Sequence, residues 1–247
     1  MLQKLTLKAW VFVLLAFAST AFAANVESIR ITTARGVEIE AKLHLPANGI
    51  GLTPALVLAP GQGYHMDLPL IKGLAEKAAD AGFLVVRFNW HFFSNHLDSP
   101  GDYFAADLVN EIDDMESALR FVAAREDVLL SRIIIAGKSL GSIVAHHVAE
   151  RNIAQAQALA LLTPVCEENM KYYPGLAEFT VPTGYILGNR DPACALPDLY
   201  RFLTTTAQPQ IVSMLAGDHS FRLGTAENPA TPEADAANVN AAIDTAL

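Results

Sequence analysis

The chain has 247 residues, 52% of them hydrophobic and 17% charged, a length and composition that suit one folded α/β domain and exclude global disorder. Its formal charge of −9 argues against nucleic acid or an anionic membrane surface as the main partner. Two cysteines, Cys166 and Cys194, are too few for a disulfide-built scaffold.

In chain order, Lys4 and Lys8 form a positive start, Ala9 to Ala18 an apolar stretch, and Ala21-Phe22-Ala23 a small-x-small cleavage site. Residues 1–23 are therefore expected to be a signal peptide, and 24–247 a single domain exported to the periplasm or beyond. No later segment is long and apolar enough to span a membrane. Val26–Thr32 and Val37–Leu45 alternate polar and apolar residues around Arg35-Gly36, which predicts an antiparallel hairpin with one wet face.

Beyond the hairpin, short apolar runs alternate with amphipathic stretches. Strands are expected at Ala55–Leu58, Leu84–Phe88, Arg132–Ala136, Ala158–Leu162, Thr183–Leu187 and Ile211–Leu215. Helices are expected at Pro69–Ala81, Leu108–Ala124, Leu140–Arg151, Leu196–Thr204 and Pro232–Ala246. Asp67 and Asp198, near helix starts, are candidate N-terminal caps or dipole partners. The alternation implies an α/β fold with one doubly wound, mostly parallel sheet, in which ligands bind beyond the carboxyl ends of the strands.

Those ends carry the chemistry. Gly137-Lys138-Ser139-Leu140-Gly141 follows the apolar Ile133-Ile134-Ile135-Ala136 and opens a helix. This is G-x-S-x-G in a strand–turn–helix setting, where the turn lifts the serine hydroxyl above the sheet. Gly137-Lys138-Ser139 also resembles the tail of a phosphate-binding P-loop, but that loop needs glycine where Arg132 stands. Serine needs a base, and His219 alone among seven histidines follows the last core strand. The base needs a carboxylate, and Asp191 follows the penultimate strand, with Glu167 and Glu168 as substitutes. Asp218 is too close in sequence to reach Nδ1. The oxyanion is assigned to the N–H groups of Leu140 and Gln62, with Gly63 as the alternative to Gln62.

With Ala59-Pro60-Gly61-Gln62-Gly63, Met66-Asp67 and Val86-Arg87-Phe88-Asn89, this elbow resembles the α/β-hydrolase superfamily. More narrowly, it resembles its small lid-less, dienelactone-hydrolase-like branch, near bacterial relatives of animal testis-expressed and acetyltransferase-complex hydrolase-like proteins. The resemblance implies an α/β-hydrolase fold and a Ser-Asp-His site on Ser139, Asp191 and His219. Pro60 departs from the histidine common before the oxyanion glycine, and Ser142 replaces a glycine often found after the elbow.

Two insertions, Trp90–Ala105 and Pro164–Val181, bring aromatics to the active-site end, either to line an apolar pocket or to pin the loops. Cys166 and Cys194 follow neighbouring strands, so a disulfide bracing the Asp191 loop is expected as one of two alternatives, separate thiols being the other. No cofactor is indicated, and no metal spacing of the H-E-x-x-H or paired C-x-x-C type occurs. The expected function is a serine hydrolase, a carboxylesterase acting on a small ester-like substrate. The alternatives are a catalytically idle binding or scaffold protein, or a thioesterase or peptidase with the same triad.

Overall fold

A computed structural model describes residues 25–46, 51–152, 155–206 and 210–246. The expected signal peptide lies outside these described residues. The strands are β1 (Val26–Thr32), β2 (Glu38–His44), β3 (Thr53–Ala59), β4 (Leu84–Phe88), β5 (Val128–Lys138), β6 (Ala156–Leu162), β7 (Thr183–Gly188) and β8 (Gln210–Leu215). The helices are α1 (Pro69–Asp80), α2 (His91–Ser94), α3 (Val109–Ala123), α4 (Leu140–Arg151), α5 (Glu167–Met170), α6 (Leu196–Leu203) and α7 (Pro232–Thr245).

All eight strands join one sheet in the order β1-β2-β4-β3-β5-β6-β7-β8. Only β2 opposes the rest: it pairs antiparallel with β1 and β4, and every other pairing is parallel. This is the doubly wound, mostly parallel sheet that the alternating pattern implied, in the α/β-hydrolase architecture that the resemblance implied. The apolar run of β4 is buried at all five positions because helices cover both faces of the sheet. Ile112 and Met115 of α3 and Ile143 and Val144 of α4 pack on one face. Leu70, Ile71 and Leu74 of α1 pack with Ile243 of α7 on the other.

Three departures from the sequence reading have local causes. Strand β5 begins at Val128 rather than Arg132, because Val128 pairs with Thr53 across a register shift, and the exposed Leu130–Arg132 hide the continuity. Asp67 does not cap α1, whose cap position is Leu68. Its carboxylate instead meets the buried Arg87 guanidinium at 2.5 Å, and Arg87 also donates to His44 and to the Met66 carbonyl. The short helices α2 and α5 interrupt the two insertions; four residues are too few to register a helical period.

Candidate active site

The candidate nucleophile, Ser139, sits in the sharp turn from β5 into α4. Ser139 adopts φ 52° and ψ −118°, a strained conformation for a side chain with a Cβ. Backbone bonds hold it there: its N–H donates to the Leu162 carbonyl at 2.9 Å, and its carbonyl accepts from the Ser142 N–H at 2.8 Å. The Ser142 hydroxyl donates to the same carbonyl at 2.5 Å and bonds the Tyr173 hydroxyl at 2.7 Å, so the residue that departs from the usual glycine braces the turn. The flanking glycines are dictated by crowding. A Cβ at 137 would sit 2.0 Å from the Gly141 carbonyl oxygen, and one at 141 would sit 2.4 Å from that of Pro60.

Bonds between backbones run across the carboxyl ends of the strands and bring the other residues alongside. Thr163, after β6, donates to Ile186 of β7 at 2.7 Å, and Asn189, after β7, donates to Leu215 of β8 at 2.7 Å. The His219 loop is tied to the Asp191 loop through Arg190 N–H to the Gly217 carbonyl and Gly217 N–H to the Asn189 side chain. His219 Nδ1 lies 2.9 Å from both oxygens of Asp191, whose side chain is fully buried. A carboxylate accepts, so Nδ1 carries the proton and Nε2 is left as the basic nitrogen. No hydrogen bond joins Ser139 Oγ to His219 among the described residues; such bonds are often long before substrate arrives.

The alternative carboxylates are engaged elsewhere. Glu167 and Glu168 are exposed and pair with Lys171. Asp218 binds Arg222. Burial alone would raise its carboxyl, but the N–H groups of Arg222 and Ser220 and the Arg222 guanidinium hold it below the usual carboxylate range.

The loop after β3 runs close beside the elbow, since a Cβ on Gly61 would meet the Ser139 Cβ at 3.3 Å. The Gln62 side chain is clamped by Ser99 (2.7 Å), the Pro100 carbonyl (3.2 Å) and the Tyr103 hydroxyl. Trp90 is fully buried and donates to the Pro60 and Gly61 carbonyls at 3.2 and 3.3 Å. Phe92, Tyr172, Tyr173 and Phe179 are buried too, so these aromatics pin the loops, while Tyr103 stays half-buried.

Sequence reasoning passed over Lys138, the residue before the serine. Its side chain is buried, and its Nζ lies 4.2 Å from the Tyr64 ring centroid with no hydrogen-bond partner among the described residues. Burial pushes the amine down to about 8, against the attraction of Asp191 and Asp218. The Tyr64 hydroxyl bonds Ser220, next to His219, so Tyr64 bridges the elbow and the histidine loop. Tyr64 is distant in sequence from both, which left no signal for this bridge.

Cys166 and Cys194 are joined in a disulfide, with Cα atoms 4.4 Å apart. The Cys166 N–H donates to the Ala193 carbonyl at 2.8 Å, and the Ala193 N–H donates to Asp191 Oδ1 at 2.8 Å. The bridge thus braces the turn that carries the carboxylate.

A family model described as an alpha/beta hydrolase domain matches residues 53–246. The chain is 28% identical over 148 residues to Esterase EstD of Thermotoga maritima, an alignment that covers 55% of this chain and only 34% of EstD. The match therefore spans about a third of that relative's length. Among solved structures, the fold is similar to an alpha-beta serine hydrolase homologue from Coxiella burnetii, with a TM-score of 0.67 and 20% identity, covering 90% of this chain and 97% of that one. It is also similar to XC6422 from Xanthomonas campestris, a serine hydrolase without lid, with a TM-score of 0.61 and 19% identity over 78% and 85% of the two chains. Est1E from Butyrivibrio proteoclasticus gives a TM-score of 0.67 at 14% identity, over 88% and 96%.

Proposed function

This chain belongs to the alpha/beta hydrolase domain family, and from that premise we propose that it is a serine hydrolase, a carboxylesterase for small or compact esters. We assign it to the lid-less, dienelactone-hydrolase-like branch and to an exported location. In this reading Ser139 Oγ attacks the ester carbonyl while His219 Nε2 takes its proton. The developing oxyanion accepts from the N–H groups of Leu140 and Gln62, neither of which has an acceptor among the described residues. His219 then passes the proton to the departing alkoxide, leaving an acyl-serine. Water, deprotonated by His219, attacks that ester, and collapse returns the proton to Ser139 Oγ and releases the acid.

The observation that carries the proposal is the pairing of a strained serine at φ 52° with an imidazole whose Nδ1 is held at 2.9 Å by a buried carboxylate. The similarity to Esterase EstD favours an ester over other acyl substrates for this chain. Compact substrates suit a fold whose neighbours include a serine hydrolase without lid. The Cys166–Cys194 bridge suits export, since disulfides persist in oxidising compartments.

The test is turnover of p-nitrophenyl acetate together with labelling by a fluorophosphonate. The wild type should do both, and Ser139→Ala should lose turnover by on the order of 10³-fold or more while staying folded. Undiminished turnover by Ser139→Ala would overturn the nucleophile. A wild type that neither turns over nor labels would favour a binding role.

A further inference from the structure

A second constellation lies about two turns along α4 from Ser139 and takes no part in the mechanism above. His146, His147 and Glu150 form an H-H-x-x-E arrangement on this helix. Glu150 follows His146 by four residues and His147 by three. Both spacings put side chains on neighbouring positions, and helical side chains lean toward the N-terminus, so the carboxylate can reach back toward the two imidazoles. One ligand atom from each residue lies within 4.8 Å of the other two, and His147 Nδ1 is 3.9 Å from Glu150 Oε2.

The state of His146 is the second, independent observation. The residue is fully buried, and its Nε2 lies 2.8 Å from the Pro174 carbonyl oxygen. A carbonyl can only accept, so Nε2 carries the proton and Nδ1 keeps its lone pair. That Nδ1 is buried with no hydrogen-bond partner among the described residues, and so is Nε2 of His147. Edge contacts with Tyr173 and Phe179 explain why the His146 ring is buried but offer Nδ1 nothing. An imidazole fixed by a backbone carbonyl on one nitrogen, with a bare lone pair on the other, is the arrangement of a metal ligand.

We propose that His146, His147 and Glu150 bind one divalent first-row transition ion. Two imidazole nitrogens disfavour magnesium and calcium, which prefer oxygen donors, and three protein ligands leave a fourth position for water. Donors around a tetrahedral zinc ion sit about 3.3 Å apart at bond lengths of about 2.0 Å. The two rings are packed in place, so binding would draw in the Glu150 carboxylate, whose side chain is 49% exposed. The ion would tie α4 to the 173–179 stretch, because Pro174 holds His146 and Gly175 stands beside Glu150. Tyr173 already joins that stretch to the elbow through Ser142.

The experiment is a titration of the chelator-treated full chain with Zn²⁺ against a chromophoric competitor, with Co²⁺ as a spectroscopic substitute. One ion per chain should bind at micromolar or lower concentration, and Co²⁺ should give the visible bands of a four-coordinate site. Glu150→Gln, at an exposed side chain that leaves the packing intact, should weaken binding by about tenfold or more, a loss typical of disturbed metal sites. His147→Gln should do the same, and His219→Ala should bind as the wild type does. Three results would overturn the proposal: no binding at micromolar concentration, unchanged binding by Glu150→Gln, or binding abolished in His219→Ala.

Discussion

Ser139 is held where its φ is unfavourable, and the network around it spends nothing on the hydroxyl itself. Asp191, by contrast, is fully committed: buried, 2.9 Å from His219 Nδ1, and accepting from the Ala193 N–H. Asp191→Asn keeps the shape but offers an amide where a carboxylate fixed the tautomer and balanced the imidazolium. We expect kcat to fall about 10³- to 10⁴-fold with little change in KM, measurable by steady-state hydrolysis of p-nitrophenyl acetate. Lys138 predicts a pH effect. Its folded-state value is near 8 against 10.5 for a free lysine, so the unfolded chain binds the extra proton between those limits. Stability associated with the neutral amine is present above about 10.5 and lost as pH falls through about 8. Lys138→Met removes this charge cost, which is about 3 kcal/mol for the full shift. Urea unfolding should show the variant more stable than wild type at pH 7, with a margin that shrinks as pH rises from 8 toward 10.5; a margin independent of pH would contradict the assignment.

At the scale of elements, the β5–α4 turn joins two requirements that conflict in an ordinary helix start: a strained serine and contact with a neighbouring loop. Gly141 answers the second, because the Pro60 carbonyl occupies the space a Cβ would take. Backbone on both sides cannot yield as a flexible side chain would. Gly141→Ala should therefore destabilise the protein by about 1–3 kcal/mol in chemical denaturation. It should also push the Gly61–Gln62 loop outward, lowering kcat by about 10²-fold if that loop supplies an oxyanion donor. The same turn shows what was legible in the sequence. A serine between glycines after a β-branched run announces its own geometry, because the cause is local. The conversion of Ser142 into a brace was not legible, since it depends on Tyr173, thirty-one residues away. The H-H-x-x-E cluster is visible as letters, but the letters do not show which nitrogens lack a partner. Its significance rests on Pro174, which packs from another segment.

Across the whole molecule, element order and type were readable because burial on both faces of a parallel sheet forces continuous apolar runs, while the covering helices keep a polar side. Strand ends were less readable where pairing, rather than hydrophobicity, sets them, as at Val128 opposite Thr53. The carboxyl edge as the place to look for a site follows from topology alone, and the disulfide shows how that edge is reinforced. It closes a separation of 28 residues between the ends of β6 and β7, for which loop entropy gives about 3.6 kcal/mol of stabilisation. If the chain is exported as we propose, that contribution depends on where it folds. A version lacking residues 1–23, made in a reducing cytoplasm, should carry two free thiols and unfold at lower urea concentration by an amount near that value. Mild oxidation should restore both the two-proton mass decrease and the lost stability. The protein recovered from the exported fraction should be bonded and should begin at Ala24. An exported form that still retains residues 1–23 would disprove the cleavage site, and equal stability with and without the bond would show that the turn holding Asp191 is braced by its hydrogen bonds alone.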